Sequence, residues 1–198
     1  MRVTKISIKN FRSVKDAVFV PDNFNIFVGQ NNHGKTNLFE AIDWFFNGLK
    51  KGEDIEKIRF GRTGADEVSV EIEFSEAKSG VERMKNQANK TKMADVLGET
   101  DSIIVKRSSL DFKKRTIFAN GQWLEKQPTG FDNALNDFLP RFEYVDTRKY
   151  FEDVAKFTKT SPVGVMLSGV LTTILERSPQ YQDFHKKFEE VFGGETSD

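Results

Sequence analysis

Eight consecutive residues decide the fold of this chain: Gly29-Gln30-Asn31-Asn32-His33-Gly34-Lys35-Thr36. Their spacing fits G-x-x-x-x-G-K-[ST], a loop whose successive backbone N–H groups wrap a chain of phosphates. Glycine suits such a loop because the inward turn of those N–H groups needs conformations that other residues adopt at a cost. In this pattern Lys35 supplies a positive charge for the β- and γ-phosphates, and the hydroxyl of Thr36 can ligate Mg²⁺. The sequence therefore predicts a site for a magnesium nucleotide.

The residues on both sides of this loop have the order that the motif requires. Residues 24–28 form a short apolar run of β-favouring residues, which predicts a buried strand leading into the loop. Apolar residues then recur at helical spacing from Leu38 to Leu49, and Asn47-Gly48 is a typical helix end. A strand, a loop and a helix in this order favour phosphate binding over a glycine-rich turn with an incidental lysine.

Length and composition limit the class of protein further. The chain of 198 residues suits one domain with a sizeable core. Thirty basic residues balance thirty acidic ones, so net charge provides no general attraction to nucleic acid. The absence of cysteine excludes disulfides and thiolate metal sites, and it is compatible with the cytoplasmic location that we expect. No apolar run approaches the ~18 residues of a membrane span, so we expect no membrane partner.

The middle of the chain is predicted to be largely antiparallel β-structure. Asn120-Gly121 lies between two apolar runs and is a strong signal for a hairpin turn. Between the strands, residues 75–101 are rich in polar residues, and we expect a surface insertion or mobile loop, or a short helix near residues 81–88. The predicted strands are residues 4–8, 17–20, 67–74, 102–107, 115–119 and 122–125.

Helices are predicted in the last third of the chain. They cover residues 131–139, 163–175 and 181–192, and Ser161-Pro162 has the form of an N-cap followed by a first-turn proline. Residues 142–145 form a short strand candidate, and residues 150–160 fit no single pattern.

Two segments around the loop resemble the opening of SMC/RecF-type ABC ATPase heads. They are Ile6-Ser7-Ile8-Lys9-Asn10-Phe11-Arg12-Ser13-Val14-Lys15 and Asn37-Leu38-Phe39-Glu40-Ala41-Ile42. The form Gly-x-Asn-Asn-x-Gly-Lys is most similar to the OLD (overcoming lysogenization defect) ATPases and related phage-defence ATPases. The resemblance is specific over about the first fifty residues and weak beyond Phe74, with a looser similarity over residues 142–175.

This resemblance implies an α/β P-loop fold, the N-terminal lobe of an ABC-type head with an antiparallel β-subdomain beside the loop and its helix. It implies ATP and Mg²⁺ as cofactors, with Thr36 as the metal ligand. A second head would be the partner, as a homodimer, and DNA would be the substrate of the full-length protein, in repair or phage defence. A Toprim-type nuclease or a coiled-coil arm often occurs in such proteins. The implied nucleotide-binding residues are Arg12, Ser13, Gly29, Asn31, Asn32, His33, Gly34, Lys35, Thr36 and Asn37.

The chain departs from this pattern after Thr36. A complete head needs a signature helix, a strand ending in Asp-Glu and a switch histidine, and none is recognisable. The nearest acidic strand candidate, residues 142–146, is followed by Thr147 where the catalytic Glu belongs. We therefore predict no catalytic residue here and interpret residues 1–198 as a single incomplete head domain, whose hydrolysis needs a missing C-terminal lobe. The alternative is a short protein completed by a partner.

Two other functions fit parts of the sequence. A small phosphate-loop kinase fits the length, but two strands before the loop and an antiparallel middle argue against it. The second such function is that of a non-catalytic module, which binds ATP only in order to dimerise. The best basic cluster, Lys106-Arg107 with Lys113-Lys114-Arg115, can contact a phosphate backbone if adjacent strands place it on one face. Ordinary solvated residues are favoured there because no aromatic side chain is interleaved, and Trp123 is expected at the core or its boundary.

Overall fold

Six of the predicted strands pair into one sheet in the order β2-β1-β3-β4-β5-β6, and every neighbouring pair is antiparallel. In this computed structural model the described residues are 1–31, 33–50, 52–62, 66–124, 126–144 and 161–192. The strands are β1 (Arg2–Phe11), β2 (Val14–Phe19), β3 (Ser69–Ser75), β4 (Ser102–Ser108), β5 (Arg115–Ala119) and β6 (Gln122–Trp123).

Helices supply the rest of the regular structure. Two short 3₁₀ turns, Ile55–Ile58 and Phe60–Arg62, lie between α1 and β3. The helices are α1 (Lys35–Asn47), α2 (Ala77–Arg83), α3 (Gln87–Leu97), α4 (Phe131–Phe138), α5 (Pro162–Arg177) and α6 (Pro179–Phe192). The chain divides into two compact units, residues 1–142 and residues 143–198. Within the described ranges, none of the helices combines the length and apolar character that crossing a bilayer requires.

Alternation along the strands creates the core of the first unit. In β3, Val70, Ile72 and Phe74 are fully buried, whereas the intervening Glu71 and Glu73 lie on the other face. The buried strand residues share one apolar cluster with residues of α1, α3 and α4. Because α1 begins at the end of the phosphate loop, this packing ties the loop to the sheet.

The local signals for turns and helix ends are confirmed. Helix α1 ends before Gly48, whose φ is 76°, and the turn residues Asn120 and Gly121 have φ of 51° and 80°. Positive φ at both central residues is the geometry of the hairpin turn that this dipeptide predicts. In the second unit the Ser161 hydroxyl accepts a hydrogen bond from the backbone N–H of Gly164 at 3.1 Å, so Ser161 caps α5.

The predicted strand at residues 24–28 is wrong, since this segment has no strand partner among the described residues. The side chains of Phe24, Ile26 and Val28 are 80%, 73% and 90% exposed. Phe27 alone packs edge-to-face, against Phe19 and Phe39. An apolar run becomes a strand only when neighbouring strands satisfy its backbone, and the six-stranded sheet ends at β2 instead.

Residues 75–101, expected as a surface insertion or mobile loop, or as a short helix near residues 81–88, contain the two helices α2 and α3. Several of its few apolar residues turn inward, since Ala77, Met93 and Leu97 are fully or almost fully buried. The polar composition did not predict both helices, because a short helix that presents only one side to the core needs few apolar side chains.

The remaining predictions fall partly outside the described residues. Residues 142–144 form no strand, and Val145, the acidic candidate's Asp146 and Thr147, and residues 150–160 lie outside the described ranges. The same holds for Glu125 at the end of the second hairpin strand and for Asn32 in the loop.

Candidate nucleotide-binding site

The phosphate loop leads into the N-terminus of α1, which is suited to binding an anion. Gly34 precedes the helix with a φ of 85°, in the left-handed region, and α1 begins at Lys35. No side chain of the described residues caps this helix start. The first backbone N–H groups therefore remain available to a ligand, and the positive end of the helix dipole favours a negative charge.

The ammonium group of Lys35 lies across the loop. Its Nζ donates to the carbonyl oxygen of Gln30 at 2.7 Å and also to the carbonyl oxygen of Gly29. An ammonium group has three N–H donors, so one remains for a phosphate oxygen. The two carbonyl contacts hold the positive charge at the loop, where the sequence motif predicts it.

The loop residues enclose a small cavity of about 340 Å³, lined by Asn31, Gly34, Lys35, Thr36 and Asn37. Thr36 is exposed, so its hydroxyl is accessible to a metal ion bound beside the phosphates. Magnesium in nucleotide sites is usually held by few protein ligands together with phosphate oxygens and water, and a single hydroxyl fits this pattern. His33 is exposed, and its Nδ1 lies 3.2 Å from the carbonyl oxygen of Asn31.

The turn at Arg12 and Ser13 lies against the loop. The amide of Asn37 donates to the Ser13 hydroxyl at 2.6 Å. A Cβ placed on Gly34 would come within 3.0 Å of the same hydroxyl oxygen, so this position combines a left-handed backbone with a close approach. The structure thus brings Ser13 together with the loop, as the family resemblance implied.

The Arg12 side chain is engaged away from the loop. Its guanidinium donates to Glu53 at 3.0 Å and to Glu40, which belongs to α1. The guanidinium carbon also lies 5.8 Å from the centre of the Phe11 ring. Arg12 therefore fixes the position of its turn relative to α1, and its charge is already compensated by two carboxylates. The sequence did not indicate Glu40 or Glu53, because neither belongs to the loop motif.

A larger cavity of about 860 Å³ adjoins the loop, and Arg12, Ser13 and Asn37 form one side of it. The other side is the segment around Lys57, Arg59 and Phe60. This segment is held by backbone hydrogen bonds to the same turn: Arg12 N–H donates to Ile58 at 2.7 Å, and Gly61 N–H donates to Arg12 at 3.4 Å. The two cavities share Asn37, and their volumes lie in the range usual for ligand sites.

The predicted basic cluster does not form one surface. Arg107 and Arg115 are partners across β4 and β5, and both point into the protein, with exposures of 6% and 1%. Arg107 donates through Nε to the carbonyl of Phe45 and through NH1 to the carbonyl of Phe112, both at 2.9 Å. Burial lowers the pKa of Arg107 to about 10, with a further contribution from the charge of Arg115. These arginines therefore hold the interior together and are not available to nucleic acid.

An uncapped helix start after a left-handed glycine, together with a lysine across the loop, is the geometry of a P-loop. The chain belongs to the AAA ATPase domain family, whose sequence model matches residues 1–187. Its fold is mixed α/β with an antiparallel sheet.

Similar proteins agree with this assignment. The chain is 25% identical to the Old nuclease of Escherichia phage P2 over 198 residues, which is 96% of this chain and 32% of that protein. It is 51% identical to the DNA replication and repair protein RecF of Desulforamulus reducens over 49 residues, 24% of this chain and 13% of RecF. The chain thus spans about a third or less of these relatives.

A solved structure has the same fold. The Smc head bound to the C-winged helix domain of ScpA superposes with a TM-score of 0.50 and 20% identity, covering 81% of this chain and 47% of that one. At this level of identity the likeness concerns the fold alone.

Proposed function

We propose that this chain is the ATP-binding N-terminal part of an ATPase that acts on DNA, in repair or phage defence. The observation that carries the proposal is the uncapped start of α1 with the Lys35 ammonium held across the loop. Backbone N–H groups from residue 31 to residue 36 cradle the phosphates, Lys35 contacts the β- and γ-phosphates, and Thr36 ligates Mg²⁺.

The nucleoside part of ATP then occupies the larger cavity beside Ser13 and Asn37. The shared wall of the two cavities supports this placement, because a triphosphate in the loop continues into a nucleoside nearby. Lys57 has no ion-pair partner among the described residues, so its charge is free to meet the phosphate or ribose. Arg12 acts here by positioning the turn, through its contacts to Glu40 and Glu53.

Hydrolysis requires further residues, which we assign to a C-terminal lobe and to a second head in a homodimer. The exposed alternate side chains of Phe24, Ile26 and Val28 support this, because they have the pattern of a strand that needs neighbours. The greater length of the matched relatives supports it as well. The 198-residue chain alone is then an ATP-binding unit without ATPase activity.

DNA is the proposed substrate of the whole protein, and a cytoplasmic location follows from that substrate. The matched relatives support it, since one is a nuclease and the other a DNA replication and repair protein. The proposed role in phage defence rests on the form of the loop, which resembles the OLD ATPases.

Calorimetric titration with MgATP tests the nucleotide site. We expect Lys35→Ala to abolish binding, because the substitution removes the only ammonium group in the loop motif. Lys50→Ala is the matched control, since Lys50 follows the other end of α1 and is paired with Asp43 at 3.8 Å. Wild-type affinity in the Lys35→Ala protein would refute the assignment, and equal loss in both variants would point to unfolding instead.

A further inference from the structure

The outer face of the sheet carries a groove where β4, β5 and β6 lie side by side, with a volume of about 390 Å³. We call it the β4–β6 groove. It is lined by Trp123, by the loop residues Leu110, Asp111 and Lys114, and by Glu67 and Lys106.

An aromatic ring that lies outside the buried core lines the groove. Trp123 is 41% exposed, and Phe118 holds it edge-to-face with ring centres 5.5 Å apart. Leu110, which also lines the groove, is 79% exposed. A fixed indole and an exposed aliphatic side chain in one concavity suit a flat, apolar ligand, since stacking on tryptophan tolerates any planar ring.

The polar groups of the groove are also arranged for a ligand. One oxygen of Glu67 accepts from the Ser108 hydroxyl at 2.6 Å and from the Lys106 ammonium at 2.9 Å. Its other oxygen has no partner among the residues that the structure describes. The ammonium group of Lys114 likewise has no ion-pair partner within those residues. The groove thus combines a held hydrogen-bond acceptor with a free positive charge.

We propose that the β4–β6 groove binds one unpaired nucleotide of a single-stranded nucleic acid. The base stacks on Trp123, an N–H of the base donates to Glu67, and Lys114 contacts the adjoining phosphate. The nucleic-acid ligand class rests on the proposed action on DNA, whereas the groove itself does not depend on the ATP site.

A duplex does not fit this site. Its bases are paired and stacked on one another, so none of them offers a free flat face to Trp123. An unpaired base of a single strand can stack on Trp123 and direct an N–H donor towards Glu67. The volume of the groove also limits the ligand to a small unit of a strand.

Binding of a fluorescently labelled single-stranded oligodeoxyadenylate, followed by anisotropy without ATP, tests the proposal. We expect Trp123→Ala to weaken binding by about 5- to 150-fold, the factor that corresponds to the loss of one stacked base. Trp123→Phe keeps an aromatic face and is expected to restore most of the affinity. In the unlabelled wild type, stacking quenches the fluorescence of exposed Trp123, while buried Trp44 provides a constant background.

Lysine variants provide a second test on exposed positions where folding is not at risk. Lys114→Ala is expected to weaken binding and to reduce the slope of log affinity against log salt by about 1. Lys113→Ala, at the neighbouring position outside the groove lining, is expected to bind like the wild type. Circular dichroism confirms that each variant is folded.

Three results would overturn the proposal: equal affinity for the duplex and the single strand, wild-type affinity in both Trp123→Ala and Lys114→Ala, or no binding of the single strand. None of them affects the calorimetric ATP titration. Loss of ATP binding without loss of oligonucleotide binding would in turn refute only the nucleotide site.

Discussion

Replacing Gly34 by alanine tests whether the loop needs its left-handed backbone and its contact with Ser13. The φ of Gly34 is 85°, and an added Cβ would lie 3.0 Å from the Ser13 hydroxyl oxygen. A side chain in the left-handed region costs about 1–2 kcal/mol. The contact adds about 0.5–1.5 kcal/mol, the cost of displacing a side chain from its preferred rotamer. Ser13 cannot move freely, because Asn37 holds its hydroxyl at 2.6 Å.

Gly52 is a matched control for this experiment. Its φ of 81° is almost the same, but, apart from its chain neighbours, no atom of the described residues lies within 4 Å of an added Cβ. Gly52→Ala therefore carries only the backbone cost, and Gly34→Ala carries the backbone cost and the contact. We expect Gly34→Ala to be less stable than Gly52→Ala by about 1 kcal/mol, which lowers the melting temperature by a further ~2–4 °C for a chain of this size.

Thermal unfolding followed by circular dichroism measures both variants. The double variant Ser13→Ala/Gly34→Ala removes the hydroxyl and is expected to recover the contact cost, while Ser13→Ala/Gly52→Ala is expected to be additive. The close contact between Gly34 and Ser13 would be refuted if Gly34→Ala is no less stable than Gly52→Ala. It would also be refuted if Ser13→Ala/Gly34→Ala regains no stability relative to Gly34→Ala.

Two further predictions concern the sheet and its hairpin. Burial alone would raise the pKa of Glu67, but hydrogen bonds from Ser108 and Lys106 with the charges of Lys106 and Lys9 lower it below its ordinary value of 4.5. The Glu67 carboxylate therefore contributes fully to stability above about pH 4.5, and this contribution is lost as the pH falls through the lower pKa of the folded state. In urea unfolding at decreasing pH, we expect the free energy of unfolding to fall less for Glu67→Gln than for the wild type. We expect Asn120→Ala to lower the free energy of unfolding in urea by about 1–3 kcal/mol, because alanine disfavours the φ of 51° and the hydrogen bond to Val96 is lost. Asn120→Gly tolerates this φ, so we expect it to lose only the hydrogen bond.

The parts of the fold that sequence predicted correctly depend on residues close together in the chain. The phosphate loop, the helix after it and the hairpin at Asn120-Gly121 are specified by spacing and by backbone preferences within a few residues. The alternation in residues 67–74 likewise predicted both the strand β3 and the side of it that is buried. The nucleotide-binding roles of the loop residues remain predictions.

The prediction of a strand at residues 24–28 was wrong for a physical reason. Its apolar composition is suited to a buried strand, but the hydrogen bonds of a strand come from its neighbours and not from its own sequence. For residues 75–101 the sequence predicted at most one short helix, whereas the structure has two, because the few apolar residues of α2 and α3 are enough to bury one side of each helix.

The basic cluster shows the same dependence on distant residues. Arg107 and Arg115 are hydrophilic by type, yet cross-strand pairing places both on the core side of the sheet. Trp123, expected at the core or its boundary, is partly exposed on the opposite face and lines the β4–β6 groove.

The amino-acid sequence by itself determined that a loop with the phosphate-binding pattern precedes a helix and that the middle of the chain is antiparallel, because these features follow from local spacing and period. Only the tertiary structure decided which side chains meet beside the site, such as Arg12 with Glu40 and Glu53. It also decided which basic and aromatic residues face solvent. The physical reason is that burial and pairing are set by strand register and helix packing, which join residues far apart in the chain.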